Sequence, residues 1–418
     1  MLKAFRKLWN DKRGNALIIV AASLPLIMGS VGLASDTIQW TLWKRELQRA
    51  ADSAAIAGVY AKVQSASYQN AVTQDLAHNN NVASFTINTN VENSPTTGAY
   101  TADAMAVRVL LAARKQLNFS SMFMLSPPTI RATATATIVP TGDYCVISLE
   151  NTATTGISVG GTANVDLGCG MITNSTSMDA AVAFGNSVVE ASPIAAVGGI
   201  DASDNWANNV QLLPFTLAQA DPFANISPPV PSGSCPNVLV NSNQTATLNP
   251  GCYGNMTLRG TVTLNAGTYV LDGGDLVVGA QAVITCNGCV FVLTSRTAST
   301  NPTSIGDVTV NAGARLNLSA PTTGTYAGIL MYQDRRAPSS TASNYQNHIN
   351  GNSQSSFQGA FYFPNQQTTF NGTAGMSTAC MQLVARRVVF VGTASITNTC
   401  PTGSGAQSFE GRAVRLVE

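Results

Sequence analysis

The chain has 418 residues, only 10% of them charged, with Lys+Arg 22 against Asp+Glu 21 and a net charge of +1. This balance excludes the basic footprint of a nucleic-acid-binding protein, and a hydrophobic content of 45% excludes an intrinsically disordered chain. With His 2 in the whole sequence (His78 and His348) no three-histidine metal site exists, and with no lysine after Lys115 a Walker-type phosphate loop is excluded there.

Residues 1–14 are basic: Lys3, Arg6, Lys7, Lys12 and Arg13 oppose a single Asp11. No charge then appears from Gly14 to Ser35. A helix needs about 20 apolar residues to cross a bilayer, so residues 15–35 are predicted to be a membrane anchor. Pro25 inside the run is compatible with that, because membrane helices tolerate proline. The basic flank predicts a cytoplasmic N-terminus with the bulk of the chain outside, periplasmic or surface-exposed. Two processing routes stay open. Gly32-Leu33-Ala34 offers small residues to a signal peptidase, although the apolar run exceeds the roughly 7–15 residues of a signal core. Gly14 before an apolar helix looks like a prepilin leader, but Ile19 stands where pilins carry Glu.

Residues 36–140 read as a helix followed by a small α+β unit. Asp36 and Thr37 suit a helix start. Trp40 and Trp43 lie where interface aromatics sit. Trp40, Trp43, Leu47, Ala50, Ala54, Ala57 and Ala61 alternate spacings of three and four, a heptad-like seam. Its alanines would admit a close partner helix, or the chain's own following residues. Strands are expected at 84–88, 104–110 and 130–139, the last an Ala/Thr run of period two. A short helix is expected at 116–124, ending at Pro127-Pro128.

These first 140 residues resemble the Flp pilus-assembly TadE/TadG-like family of the tight-adherence (Tad) system. The resemblance is carried by Arg13-Gly14-Asn15-Ala16, Gly32-Leu33-Ala34-Ser35-Asp36, Leu47-Gln48-Arg49-Ala50-Ala51-Asp52-Ser53-Ala54-Ala55-Ile56-Ala57 and the strand Arg131-Ala132-Thr133-Ala134-Thr135-Ala136. It implies an inner-membrane role in pilus assembly or envelope attachment, with other pilus-assembly proteins as partners through the helix 36–65.

All eight cysteines lie from Cys145 onward (Cys145, Cys169, Cys235, Cys252, Cys286, Cys289, Cys380 and Cys400), which suits disulfides in an oxidising compartment. Pairing of sequence neighbours is the simplest arrangement, one of 105 that eight cysteines allow. Cys286-Asn-Gly-Cys289 lacks the second close pair or histidines of a zinc site. Its flanks read as strands rather than the helix N-terminus of a redox pair.

From Cys145 on, short β-prone runs are punctuated by Gly and Asn. Thr261-Val262-Thr263-Leu264-Asn265-Ala266-Gly267 echoes Thr245-Ala246-Thr247-Leu248-Asn249-Pro250-Gly251, and Val308–Leu318 gives a third copy. Val159–Leu167 and Val391–Thr397 are looser echoes. The pattern predicts a mainly-β, right-handed parallel β-helix (a solenoid), with a β-sandwich as the alternative. A first β-rich part is expected at 141–204, a Pro-rich crossing at 205–236 that wraps or links the solenoid, and a β-helix-like domain at 237–418. Residues 324–352 read as a long excursion. The phrases Cys169–Ser175, Asn249–Gly254, Ala320–Leu330 and Tyr362-Phe363-Pro364 resemble long variants of the same family with a β-rich module after the anchor. The Asp-x-Ser-x-Ser metal motif of a von Willebrand-type A module is not present.

Catalytic candidates are sparse. Asp272 and Asp275 are close enough to share Ca²⁺, but a calcium cage needs more oxygen ligands than these. Arg335-Arg336 and Arg386-Arg387 are candidates for an anionic glycan, although strand alternation sends adjacent side chains to opposite faces. The expected function is a non-catalytic, membrane-anchored structural or assembly component without a cofactor. The alternatives are a minor pilin or surface adhesin binding a glycan through the β-helix, then a polysaccharide-active enzyme.

Overall fold

The computed structural model describes residues 12–79, 86–340, 344–352, 354–372, 376–378, 380–392, 395–398 and 409–417. The chain divides into two compact units, Met1–Val139 with Val414–Glu418, and Pro140–Ala413. Residues 414–417, expected in the β-rich part, thus belong with the N-terminal unit. There Val414 packs on the core and Val417 donates its N–H to the Thr135 carbonyl at 2.9 Å.

In the first unit, α1 (Lys12–Val63) is one unbroken helix of 52 residues through Pro25. It does not restart at Asp36, because the Asp36 carboxylate is engaged elsewhere and Thr37 Oγ1 donates back to the Leu33 carbonyl at 2.8 Å, as a mid-helix threonine does. The second helix, α2 (Tyr68–Asn79), folds back on α1. Strands β1 (Thr86–Asn93), β2 (Val107–Arg114) and β3 (Thr129–Ser148) form an antiparallel ladder, with Leu111 opposite both Thr89 and Ala132. Alternation on β3 buries Ile130, Ala132, Ala134 and Ala136 against the helix residues Leu47, Ala51, Ala54, Ala55 and Val59. Alanines on both surfaces let helix and sheet approach closely; at Gly58 a Cβ would already stand 2.9 Å from Val107 Cγ1. The helix expected at 116–124 shrinks to a 3-10 turn, Ser120–Met122.

The second unit is built almost entirely from parallel pairings and contributes most of a large sheet of 24 strands, with a smaller one of four. From Val238 to Ser319 each strand pairs with the strand three places on. One ladder runs Val238–Val240, Met256–Leu258, Leu276–Val278, Val308–Val310, Gln346–Gly351. A second runs Thr245–Leu248, Thr261–Leu264, Val283–Asn287, Arg315–Ser319, Ser356–Gly372. A third runs Gly251–Tyr253, Gly267–Asp272, Cys289–Thr294, Ile329–Gln333, and returns to Ser356–Gly372. Within the second ladder Val262, Leu264, Ile284, Leu316 and Leu318 are buried while Thr261, Thr263, Thr285 and Asn317 face out, the period-two pattern of a half-buried strand.

The sequence echoes map onto these ladders. Thr245–Leu248 lies in register on Thr261–Leu264, and Asn164–Asp166 on Ser395–Thr397. The third echo is placed differently: Val308–Val310 belongs to the first ladder, and only Arg315–Leu318 continues the second, after Val283–Cys286. The excursion at 324–352 is also narrower than expected, because it contains the buried strand Ile329–Gln333.

The order of stacking differs from the order of sequence. Cys380–Gly392 pairs on one side with Ser356–Gly372 and on the other with the end of β3 and Ile157–Val159. Beyond these come Gly170–Thr173, Ile194–Ala196 and Leu212–Leu213. The chain therefore enters the stack in its middle, leaves at one end near Leu213, and must travel back to start again at Val238. The Pro-rich segment makes that journey. It meets in turn Asn174 (through Gln219), Tyr362 (through Asp221), Tyr332 (through Ile226) and Tyr326 (through Ser227), and the Cys235–Cys252 disulfide pins it at the far end.

Candidate functional site

The apolar helix is the first candidate. Among the described residues one helix is long and apolar enough to cross a membrane, and only 6% of its apolar window is buried. Leu26, Ile27, Met28, Val31 and Leu33 all stand exposed, Leu26 at 76%. Exposed apolar side chains in such density mark a surface meant for lipid or a partner.

The predicted seam is only partly on one face. Trp43, Leu47, Ala54 and Ala61 are buried, Ala50 and Ala57 half-buried, and Trp40 exposed. The observed buried stripe is Trp43, Leu47, Ala51, Ala54, Ala55 and Val59. A 3.5-residue seam drifts about 20° per heptad around a straight helix of 3.6. Packing against the chain's own sheet follows the 3.6 period, so the seam is covered in cis, and Ile38, Trp40 and Leu42 are what this stretch leaves exposed. Lys115 Nζ sits 4.7 Å from the Trp43 ring and Lys44 Nζ 5.9 Å from that of Trp40.

Gly32 and Asp36 meet one loop. A Cβ on Gly32 would lie 2.4 Å from the Phe119 ring. The buried Asp36 carboxylate accepts the Phe119 N–H at 3.2 Å, and the Ser120 N–H and hydroxyl. Sequence spacing gave no hint of this tie across more than 80 residues.

In the second unit the carboxylate candidates separate. Asp272 accepts the Arg296 N–H at 2.8 Å and pairs with its guanidinium. Cys235, Cys252 and Asp272 gather within 4.8 Å, but the two sulfurs are bonded to each other, which leaves no thiolate for a metal. Asp275 belongs to a corner column. Asn237, Asn255 and Asp275 each accept, through Oδ1, the N–H of the next member, ending at Asp307, at 2.7 to 2.9 Å. Each member directly precedes a first-ladder strand. Burial and the neighbouring Asp275 charge raise the Asp307 carboxyl to about 6 against hydrogen bonding from Gln366 and Gln333.

The arginine candidates are engaged. Arg335 donates to the Ile226 and Phe223 carbonyls and to Tyr362 Oη at 2.7 to 3.0 Å, and Arg336 pairs with buried Asp334. Burial and the Asp221 carboxylate, 2.7 Å from its hydroxyl, push the Tyr362 phenol upward. Arg386 and Arg387 meet the same Glu150, at 3.0 and 3.7 Å, instead of facing opposite ways. They occupy the corner where pairing with β3 ends at Ala385 and pairing with Ile157–Val159 begins at Val388, so strand alternation does not apply. Burial works to raise the Glu150 carboxyl, but hydrogen bonds from Arg386 and Thr152 and the Arg386 charge hold it below the usual range.

Three disulfides are Cys145–Cys169, Cys235–Cys252 and Cys286–Cys289, the last closing the corner at Gly288 (φ 87°). Cys380 is also disulfide-bonded, and Cys400 lies outside the described residues.

Against known proteins, residues 14–64 match the family model described as "Putative Flp pilus-assembly TadE/G-like". This segment is similar to the Tad family over residues 14–64. No curated protein and no solved structure matches the chain. The matched segment covers the apolar helix, which is long and apolar enough to cross a membrane, and its covered continuation.

Proposed function

We propose that the protein is a single-pass, non-catalytic structural component of Tad (Flp) pilus assembly in a bacterial inner membrane. Its N-terminus is cytoplasmic, and a disulfide-bonded, right-handed parallel β-helix is held outside. The observation that carries this is the Tad-like segment lying on an apolar helix whose side chains stand exposed from Ile19 to Leu33. The β-helix reading is supported by three parallel ladders in which the strands from Val238 to Ser319 pair three places on, and its hand by the preference of parallel crossovers. Disulfides support an oxidising compartment. Pilus-assembly partners would meet the helix at Ile38, Trp40 and Leu42, its exposed apolar side chains beyond the span.

Deleting the protein should remove Flp pili, and a chain carrying Asp272→Asn and Asp275→Asn should restore them. Failure of that chain, folded and membrane-bound, would favour an enzyme. A recess of about 600 Å³, lined by Ser242, Arg259, Gln281 and Asn311, is open to the adhesin reading. Glycan-array binding lost in Arg259→Ala would support it.

A further inference from the structure

The loop after β2 carries an apolar cluster that the fold does not bury. Met122, Phe123 and Leu125 are 75%, 76% and 109% exposed, and Met124 is exposed beside them. No charged residue occurs from Gln116 to Ile130. Four consecutive large apolar side chains in water are costly unless something covers them.

The loop's position tells what covers it. Its start is fixed to the anchor helix at two points, Phe119 against Gly32 and Ser120 on the Asp36 carboxylate. Gly32 lies 19 residues beyond Arg13, about 28 Å along a helix at 1.5 Å per residue, close to the thickness of a hydrocarbon core. The contact therefore sits at the level where the span leaves the lipid. Val31 and Leu33, which flank Gly32 on the helix, are likewise exposed.

We propose that the segment Phe119–Leu125 is a second membrane contact, laid into the boundary between headgroups and acyl chains beside the point where the helix emerges. The inference rests on the membrane-anchor reading. The loop fixes how the first unit meets the bilayer, since a single helix alone leaves it free to tilt. Lacking charge, it takes zwitterionic and anionic lipid alike, unlike a basic amphipathic segment.

The test uses the full chain in phosphatidylcholine vesicles, with an environment-sensitive fluorophore on Met122→Cys or Leu125→Cys. Leu26→Cys serves as the span control and Gln74→Cys, exposed on α2, as the water control. Lipids carrying a quencher near the headgroup should remove most of the fluorescence at 122 and 125 and leave that at 74, and lipids carrying a quencher deep in the acyl chain should remove that at 26. Quenching at 26 but not at 122 or 125 overturns the loop contact and leaves the anchor standing. No quenching at 26 overturns the anchor, and the proposal with it. Phe123→Trp with brominated lipid repeats the reading without a bulky label.

Discussion

Asp307→Asn should stabilise the protein at neutral pH and leave it unchanged in acid. The folded carboxyl keeps its proton to about pH 6, whereas the unfolded one loses it near 3.8. Between those values the folded state binds more protons, so the contribution of Asp307 to stability falls as pH rises, and above about 6 the full cost remains. A shift of about two units corresponds to about 3 kcal/mol. Asparagine keeps the shape, removes the charge beside Asp275, and brings an N–H₂ toward Gln333, whose buried Oε1 lacks a hydrogen-bond partner. The backbone N–H of Asp307 still donates to Asp275. We expect a gain of about 2–3 kcal/mol at pH 7.5, a rise in melting temperature of roughly 5–10 °C, and no gain at pH 4. Thermal unfolding of the detergent-solubilised full chain, followed by circular dichroism in the β region at both pH values, reads it. An equal gain at both values, or a loss at pH 7.5, would refute the reasoning.

Glu150→Ala should cost about 3 kcal/mol, because it leaves Arg386 and Arg387 without their shared buried carboxylate. In the parent chain the contribution of Glu150 is present above the ordinary glutamate pKa and is lost as pH falls through the lower folded value, so the variant should approach the parent in acid. Replacing Cys235 and Cys252 together by serine should cost about 3 kcal/mol for a loop of 17 residues, read as a shift in urea midpoint. Arg335→Ala removes the donors to Phe223, Ile226 and Tyr362, so limited proteolysis should cut the crossing between Pro214 and Pro236 several-fold faster while the ladders stay protected.

The parts legible in the sequence were those governed by local pattern. The uncharged run to Ser35, the Ala/Thr alternation of β3 and the Thr-x-Thr-Leu echo each lie where a period of 3.6 or 2 is imposed by one neighbour. What escaped were relations set by the stack. The corner column at Asn237, Asn255, Asp275 and Asp307 has steps of 18, 20 and 32 residues, so no fixed period shows it. The permuted stacking, with Cys380–Gly392 between Ser356–Gly372 and β3, leaves no mark on the order of the sequence. Asp36 looked like a helix start because a carboxylate there suits the dipole. Its partners at Phe119 and Ser120 are fixed only once the sheet has brought that loop back. The shared Glu150 was hidden for a related reason, since a corner at Arg386 cancels the alternation a strand would impose.

The most direct measurement of the central claim is protease accessibility of the protein in carbonate-washed membranes and intact spheroplasts. With antibodies to both ends, the account predicts that the chain stays in the washed membrane. External protease should remove the C-terminal epitope from spheroplasts, while a fragment bearing the basic N-terminus remains protected. Release of the full chain by the wash, or protection of the C-terminal epitope in spheroplasts, would contradict it.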